Sequence, residues 1–384
     1  MGPLAGLRIV ELAGIGAGPH CAMMLADMGA DVVRVDRLTA SGLGVPIDAK
    51  FDLLLRGRRS LAVDLKSEAG RDTVLRMIDQ ADAVIESFRP GVVERMGLGP
   101  DVCLSRNPKL VFGRLTGWGQ NGPYAQMAGH DINYIALSGV LHAIGSRGGL
   151  PVPPLNLVGD FGGGAVYAAF GIVSALLHAQ RTGQGQVVDA AMVDGAAALL
   201  TMVVGFQRGG IWSSQRGDNI VDGGAPYYAA YETSDGRFVS IGAMEEKFYE
   251  LLLTKLNLGD DANMRPHTDR SRWEYQRDRF KACFLTRSRD EWCAVLEGTD
   301  TCFAPVLTID EASSHPHLKA RKTYVDLNGV NQPAPNPRFS VTPSASSMPP
   351  ASLGQHSREV LADWGIASEA IEKLCSSSVV FQAN

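Results

Sequence analysis

Two titratable side chains stand in glycine-rich, mostly apolar stretches of the 384-residue chain: His130 in AGHDINYIALSGVL and Asp160 in NLVGDFGGGAVYAAFGIVSALL. A carboxyl group set among apolar residues tends to titrate above its usual range, which suits a catalytic acid or base. The three glycines and the apolar run after Asp160 predict that it opens a helix. Amide groups at a helix start point outward and favour negative charge. An acid/base group beside such amides would suit proton transfer next to a developing oxyanion. The same residues also fit an ordinary N-cap aspartate and a hydrogen-bonded core histidine. These two segments alone leave both readings open.

The elements that must position them begin with a βαβ unit. Residues 7–12 (LRIVEL) predict a buried strand, AGIGAGPH a glycine-rich turn, CAMMLADMG a helix and DVVRVD a second strand. That order implies a parallel sheet with a right-handed crossover. Gly14, Gly16 and Gly18 imitate a dinucleotide-binding turn, and Asp36 stands where a ribose-binding acid would. The spacing is G-x-G-x-G with Pro19 next, so the fingerprint is incomplete and NAD is not expected. Further strands are predicted in SLAVDL, ADAVIESF and KLVFGRLTGWG, with a loop over 38–60 that ends in Arg56, Arg58 and Arg59. Arg37, Lys66, Arg89 and Arg95 each follow a strand end. Ligands of open α/β sheets collect at those ends, and guanidinium forks suit phosphate. The set therefore suggests a polyphosphate ligand, although any one of these cations could equally be a solvated surface charge.

After residue 211 the texture changes. A polar, glycine-rich connection leads to YAAYETSDGRFVSIGAM, which alternates around Ser234-Asp235-Gly236 as a hairpin does, and then to two helices with polar faces. A smaller α+β domain is expected there. Residues 328–352 are rich in Pro, Ser and Asn and predict an extended linker, and 354–375 a final helix.

Composition bounds the function. The chain is 45% hydrophobic and 20% charged, as in soluble globular proteins, and its net charge of −5 argues against nucleic-acid binding. The six cysteines have no paired or metal-like spacing, and His315-Pro316-His317 lacks a third ligand nearby, so no metal is expected. The first residues lack a signal-peptide pattern and the last, FQAN, a peroxisomal tripeptide. The apolar run 165–179 falls short of a bilayer span, so no membrane is expected. A cytoplasmic protein is the expectation, or a peroxisomal or mitochondrial-matrix one in a eukaryote.

Five segments then stand together: GHDINY (129–134), NLVGDFGGG (156–164), GQVVDAAMVDG (185–195), DGGAPYY (222–228) and GAMEEKFY (242–249). With the N-terminal LRIVELAGIGAGPHCAMMLADMGADVVRVDR, their order resembles the alpha-methylacyl-CoA racemases of the family III CoA-transferase superfamily, over about residues 2–310. The resemblance implies an α/β fold: a Rossmann-like large domain with a parallel sheet, plus a small α+β domain. The large domain would occupy 1–200, completed by about 325–384, and the small one 225–310, with linkers at 201–224 and 311–352. It further implies an interlocked homodimer whose sites are shared between subunits.

By motif position, His130 and Asp160 would be the acid/base pair. Glu245, from the partner chain, would hold or polarise His130. The run here is Glu245-Glu246-Lys247, where the family often has Glu-Pro-Gln, which leaves Glu246 as an alternative partner. Coenzyme A would be held by Arg37, by Val63, Asp64, Leu65 and Lys66, by Ser87, Phe88, Arg89 and Arg95, and by Gly129, Asp131, Ile132, Asn133 and Tyr134. The implied reaction interconverts (2R)- and (2S)-2-methylacyl-CoA thioesters through an enolate, without metal, flavin or pyridoxal phosphate. The alternatives are an isopenicillinyl-CoA-type epimerase acting on a peptidyl-CoA, and a CoA transferase using Asp160 as nucleophile.

Overall fold

Runs of β-branched and apolar residues between glycine breaks become strands, and where both faces are covered the runs are nearly continuous. In the computed structural model, which describes residues 2–39, 42, 44–344 and 348–383, six such runs form a parallel sheet. They are β1 (Arg8–Leu12), β2 (Asp31–Asp36), β3 (Arg58–Val63), β4 (Ala83–Glu86), β5 (Val111–Thr116) and β6 (Gln186–Ala191). The order is β3-β2-β1-β4-β5-β6, and the short strand Val380–Phe381 adds to β3 antiparallel. Residues alternate between two cores. Val10 and Leu12 of β1 join Val33, Val84 and Phe112 on one face, while Ile9 joins Val32, Ile85 and Val111 on the other. Each such side chain, fully buried, contributes about 1.5–3 kcal/mol relative to exposure. This is the parallel sheet expected from the βαβ start and the Rossmann-like domain that the resemblance implies.

The chain divides into two compact units. The first is Met1–Ser138, Pro154–Leu200 and Lys322–Asn384; the second is Gly139–Pro153 and Thr201–Arg321. The second unit has its own antiparallel sheet of Tyr228–Glu232, Phe238–Gly242 and Phe303–Val306, with the first two strands joined through Gly236 at φ +73°. Helices Glu246–Lys255, Trp273–Phe284 and Arg289–Leu296 pack on it through Tyr249, Leu252, Phe280, Phe284 and Trp292.

The segments expected as linkers carry structure of their own. Thr201–Arg208 is helical, and Tyr324–Leu327 pairs with Val330–Pro333 as a hairpin. The final segment is two helices, Ser357–Asp363 and Ser368–Ser376, interrupted by Gly365 at φ +77°. The linker expected at 311–352 includes residues 345–347, and the loop expected at 38–60 includes 40, 41 and 43; these lie outside the described residues, as do the two chain ends Met1 and Asn384.

The basic run at the end of that loop turns inward. Arg58 Nη1 lies 2.6 Å from Glu11 Oε2 with both side chains 1% exposed. Arg56 pairs with Asp27 at 2.6 Å and Arg59 with Asp31 at 2.9 Å. Arg58 also leaves its Nε and Nη2 buried without a hydrogen-bond partner among the described residues. Breaking a buried pair strands the remaining charge, which typically costs about 3–5 kcal/mol. Arg58→Met should therefore lose about that much stability in urea unfolding. An unchanged midpoint would show that Glu11 does not depend on its partner.

Candidate active site

Strand order reverses between β1 and β4, and ligands of such sheets bind at the carboxyl ends of the strands there. A cavity of 680 Å³ occupies that place in the first unit. Gly14, Ile15 and Gly16 line it after β1, Arg37 after β2, Ser87 and Phe88 after β4, and Leu353 from the C-terminal segment. The glycines of the first turn serve close packing. A methyl group on Gly14 would fall 2.2 Å from Ser87 Oγ, and one on Gly18 2.8 Å from the same atom. Asp36 also lines the cavity, with Arg34 at 2.8 Å and the Ser60 hydroxyl at 2.6 Å both donating to its Oδ2.

The predicted ligand-binding residues separate into two groups. Arg37, Ser87 and Phe88 line the cavity. Lys66, Arg89 and Arg95 are exposed but stand outside its lining. Of the VDLK segment, Val63 is buried in β3, Asp64 donates its amide to Val379 O at 2.8 Å, and Leu65 packs on the core; the Lys66 side chain alone is exposed. A buried clamp orders the turn after β4. Glu86 accepts the Phe88 amide at 2.7 Å and Arg114 Nε at 2.7 Å, and Arg114 reaches Glu94 at 2.8 Å, on the short helix Val92–Arg95. Burial raises the Glu86 pKa.

Asp160 does not open its helix. It lies within a π-helical stretch, Leu157–Val166, that starts after Asn156 and continues as the α-helix Tyr167–Thr182. The expected helix-start donor is also occupied, because the Asp160 amide donates to Asp131 Oδ1 at 2.7 Å. The three glycines have a packing cause. Helix Met192–Leu199 crosses so close that a methyl group on Gly195 would fall 1.8 Å from Gly163 O, and one on Gly163 2.5 Å from Ala196 N. Backbone against backbone fixes this turn.

The Asp160 carboxyl is drawn upward from its ordinary pKa of 3.8, chiefly by desolvation. Asn156 donates to Oδ2 at 3.2 Å and lowers it, Asp131 raises it, and His130 lowers it. His130 is exposed and caps helix Asp131–Leu137, where Asn133 Oδ1 accepts its amide at 3.0 Å. Ile132 is exposed; Tyr134 is buried, edge-on to Trp118 at 4.8 Å, and donates to Gly129 O. Burial, followed by the Asp160 charge, pushes the Tyr134 hydroxyl up to about 12. Glu245 belongs to the second unit, exposed at the cap of helix Glu246–Lys255, and Glu246 is exposed beside it.

Sequence reasoning passed over Asn156, Leu353 and the Glu86–Arg114–Glu94 clamp. Asn156 stands four residues before Asp160, a helical spacing that could have flagged it. Nothing local marks Arg114 or Leu353.

A carboxyl group whose folded pKa is raised contributes stability that is present below its unfolded value and lost as pH rises through the folded one. Asn cannot titrate. Asp160→Asn should therefore raise the melting temperature at about pH 7 and lose that advantage near pH 4. A difference independent of pH would contradict the desolvation of this group.

Comparison with known proteins agrees with this architecture. The CoA-transferase family III profile matches residues 4–357. The alpha-methylacyl-CoA racemase of Mus musculus is 45% identical over 379 residues, covering 98% of this chain and 97% of its own. That of Homo sapiens is 41% identical over 381 residues, with 98% and 97% covered. The crystal structure of a CAIB/BAIF family protein from Brucella suis aligns with a TM-score of 0.80 at 28% identity, over 94% of this chain and 99% of that one. With nearly the whole chain matched in sequence and in fold, this protein belongs to CoA-transferase family III.

Proposed function

We propose that the protein is a racemase or epimerase that interconverts (2R)- and (2S)-2-methylacyl-CoA thioesters by proton transfer at Cα. The observation that carries this reading is that Asp131, the residue after His130, accepts the Asp160 amide at 2.7 Å, which sets the helix start bearing an imidazole beside a desolvated carboxyl. The relatives named alpha-methylacyl-CoA racemase support it. Removing the Cα proton leaves an enolate with its charge on the thioester oxygen. Inversion needs a base on one face and an acid on the other, with pKa values close enough to exchange roles. Desolvation raises the Asp160 pKa, which favours its protonated, proton-donating form. The Asp160 amide is engaged by Asp131, so the enolate oxygen must find its donors elsewhere. Coenzyme A enters as part of the substrate, and Arg37, Ser87 and Phe88 in the cavity suit its phosphate-bearing portion.

A transferase would instead use Asp160 as a nucleophile, attacking the thioester carbon to form a mixed anhydride and release the CoA thiolate. That role gives His130 no proton to carry, whereas inversion at Cα needs a second acid/base group.

The working particle in this proposal is a homodimer in which Glu245 of a second chain supports His130. The helical run Leu157–Thr182 is 26 residues long, longer than the apolar stretch read from sequence, and by length and composition alone could cross a membrane. Ala168, Ile172 and Leu176 pack its inner face into the core, while Phe170, 73% exposed, Val173 and Leu177 form an apolar outer face. An apolar face of this kind suits a subunit interface.

In deuterium oxide the protein should place deuterium at Cα of a 2-methylacyl-CoA and racemise it. His130→Ala or Asp160→Ala should slow this by about 10²–10⁴-fold with little change in CoA-ester affinity. No exchange across a panel of acyl chains would reject the racemase, and rapid CoA exchange between free acid and thioester would establish the transferase. Co-expressed His130→Ala and Glu245→Ala chains should form mixed dimers with one intact site, active where either variant alone is not. Inactive mixed dimers would show that each chain completes its own site.

A further inference from the structure

Asp131 directly follows His130 and begins helix Asp131–Leu137, yet its carboxyl faces the protein interior and is 5% exposed. Its Oδ1 accepts the Asp160 amide at 2.7 Å, and its Oδ2 is buried with no hydrogen-bond partner among the described residues. The site is shaped for this side chain: a methyl group on Gly159 would fall 2.5 Å from Asp131 Oδ1. The neighbouring cap fixes the other end, with Asn133 Oδ1 holding the His130 amide at 3.0 Å. A buried carboxyl left half-satisfied is costly to keep, so a packing role alone would be better served by an apolar or amide side chain.

We propose that Asp131 is a positioning residue: its side chain ties the backbone of Asp160 to the helix start that carries His130 and so fixes the two proton-transfer groups relative to each other. For its catalytic consequence this rests on the racemase reading above. Proton transfer across one carbon tolerates little misplacement, and about 1 Å costs on the order of 10²-fold. The strut also acts on Asp160 through its charge. Asp131 raises the Asp160 pKa, against His130 and Asn156, which lower it; Tyr134 and, through it, Arg89 are the other titratable groups in the cluster.

Two substitutions separate geometry from charge. Asp131→Asn keeps an oxygen that can accept the Asp160 amide but removes the charge, whereas Asp131→Ala removes both. Asp131→Ala should lower kcat for Cα deuterium exchange by about 10²-fold, with KM changed only a few-fold. Asp131→Asn should recover most of kcat and move the limb of the pH profile governed by Asp160 to lower pH.

The bond itself is read without substrate, from the Asp160 amide resonance in ¹⁵N-aspartate-labelled protein, assigned with Asp160→Asn. In Asp131→Ala this resonance should move upfield and exchange faster with solvent, and in Asp131→Asn it should stay near its wild-type position. If Asp131→Ala does not fold, Asp131→Ser, too short to reach the amide, replaces it. A folded Asp131→Ala or Asp131→Ser that keeps the wild-type resonance, or that keeps wild-type kcat, would overturn the proposal. A wild-type protein that exchanges no Cα proton would instead reject the racemase reading, and the amide resonance would still decide whether the strut exists.

Discussion

A partly desolvated carboxyl group with a second carboxyl close to it is the constraint on which this site depends. Asp160 has Asn156 as its hydrogen-bond donor, and a second carboxyl, Asp131, on its backbone side. Desolvation and a like charge both favour the protonated form. Such a group is unstable as an ordinary surface or core residue. It persists because the π-helical turn that carries it is locked by backbone contact with helix Met192–Leu199, where Gly163 and Gly195 leave no room for a side chain.

The sheet supplies the frame for that turn. Reversal of strand order between β1 and β4 opens a cavity at their carboxyl ends, and Gly14 and Gly18 let Ser87 close over the first turn. Gly16 brings the cavity lining against Asp160, since a methyl group there would lie 3.5 Å from Asp160 Oδ2. The cavity and the acid/base pair proposed above therefore adjoin at one strand–turn–helix junction. Charge is divided in the same way. Arg56, Arg58 and Arg59 are neutralised by Asp27, Glu11 and Asp31 within the fold, whereas Arg37, Lys66, Arg89 and Arg95 remain exposed.

Much of this was legible from residue order. The βαβ start, the strands at 83–86 and 111–116, the hairpin around Gly236 and the apolar setting of Asp160 all follow from local patterns, because strand alternation, turn chemistry and composition are short-range properties. Local pattern misled at the glycine run. It reads as a helix start with free amides, but the helix begins earlier and the Asp160 amide is bound to Asp131. The linkers drawn at 201–224 and 311–352 also missed structure: the apolar run TMVVGFQR is a helix, and YVDLNGVNQP is a hairpin within a polar, Pro-rich stretch.

The sequence by itself determined which residue types are present and how they are spaced: an imidazole, a carboxyl in apolar surroundings, and cations after strand ends. Only the tertiary structure decided which of them meet. The Asp131–Asp160 bond spans 29 residues, the Glu86–Arg114 bond 28, and the Arg58–Glu11 bond 47. Each forms because strands and helices distant in sequence are packed side by side. Periodicity records the face on which a residue lies and carries no information about its partner across the core.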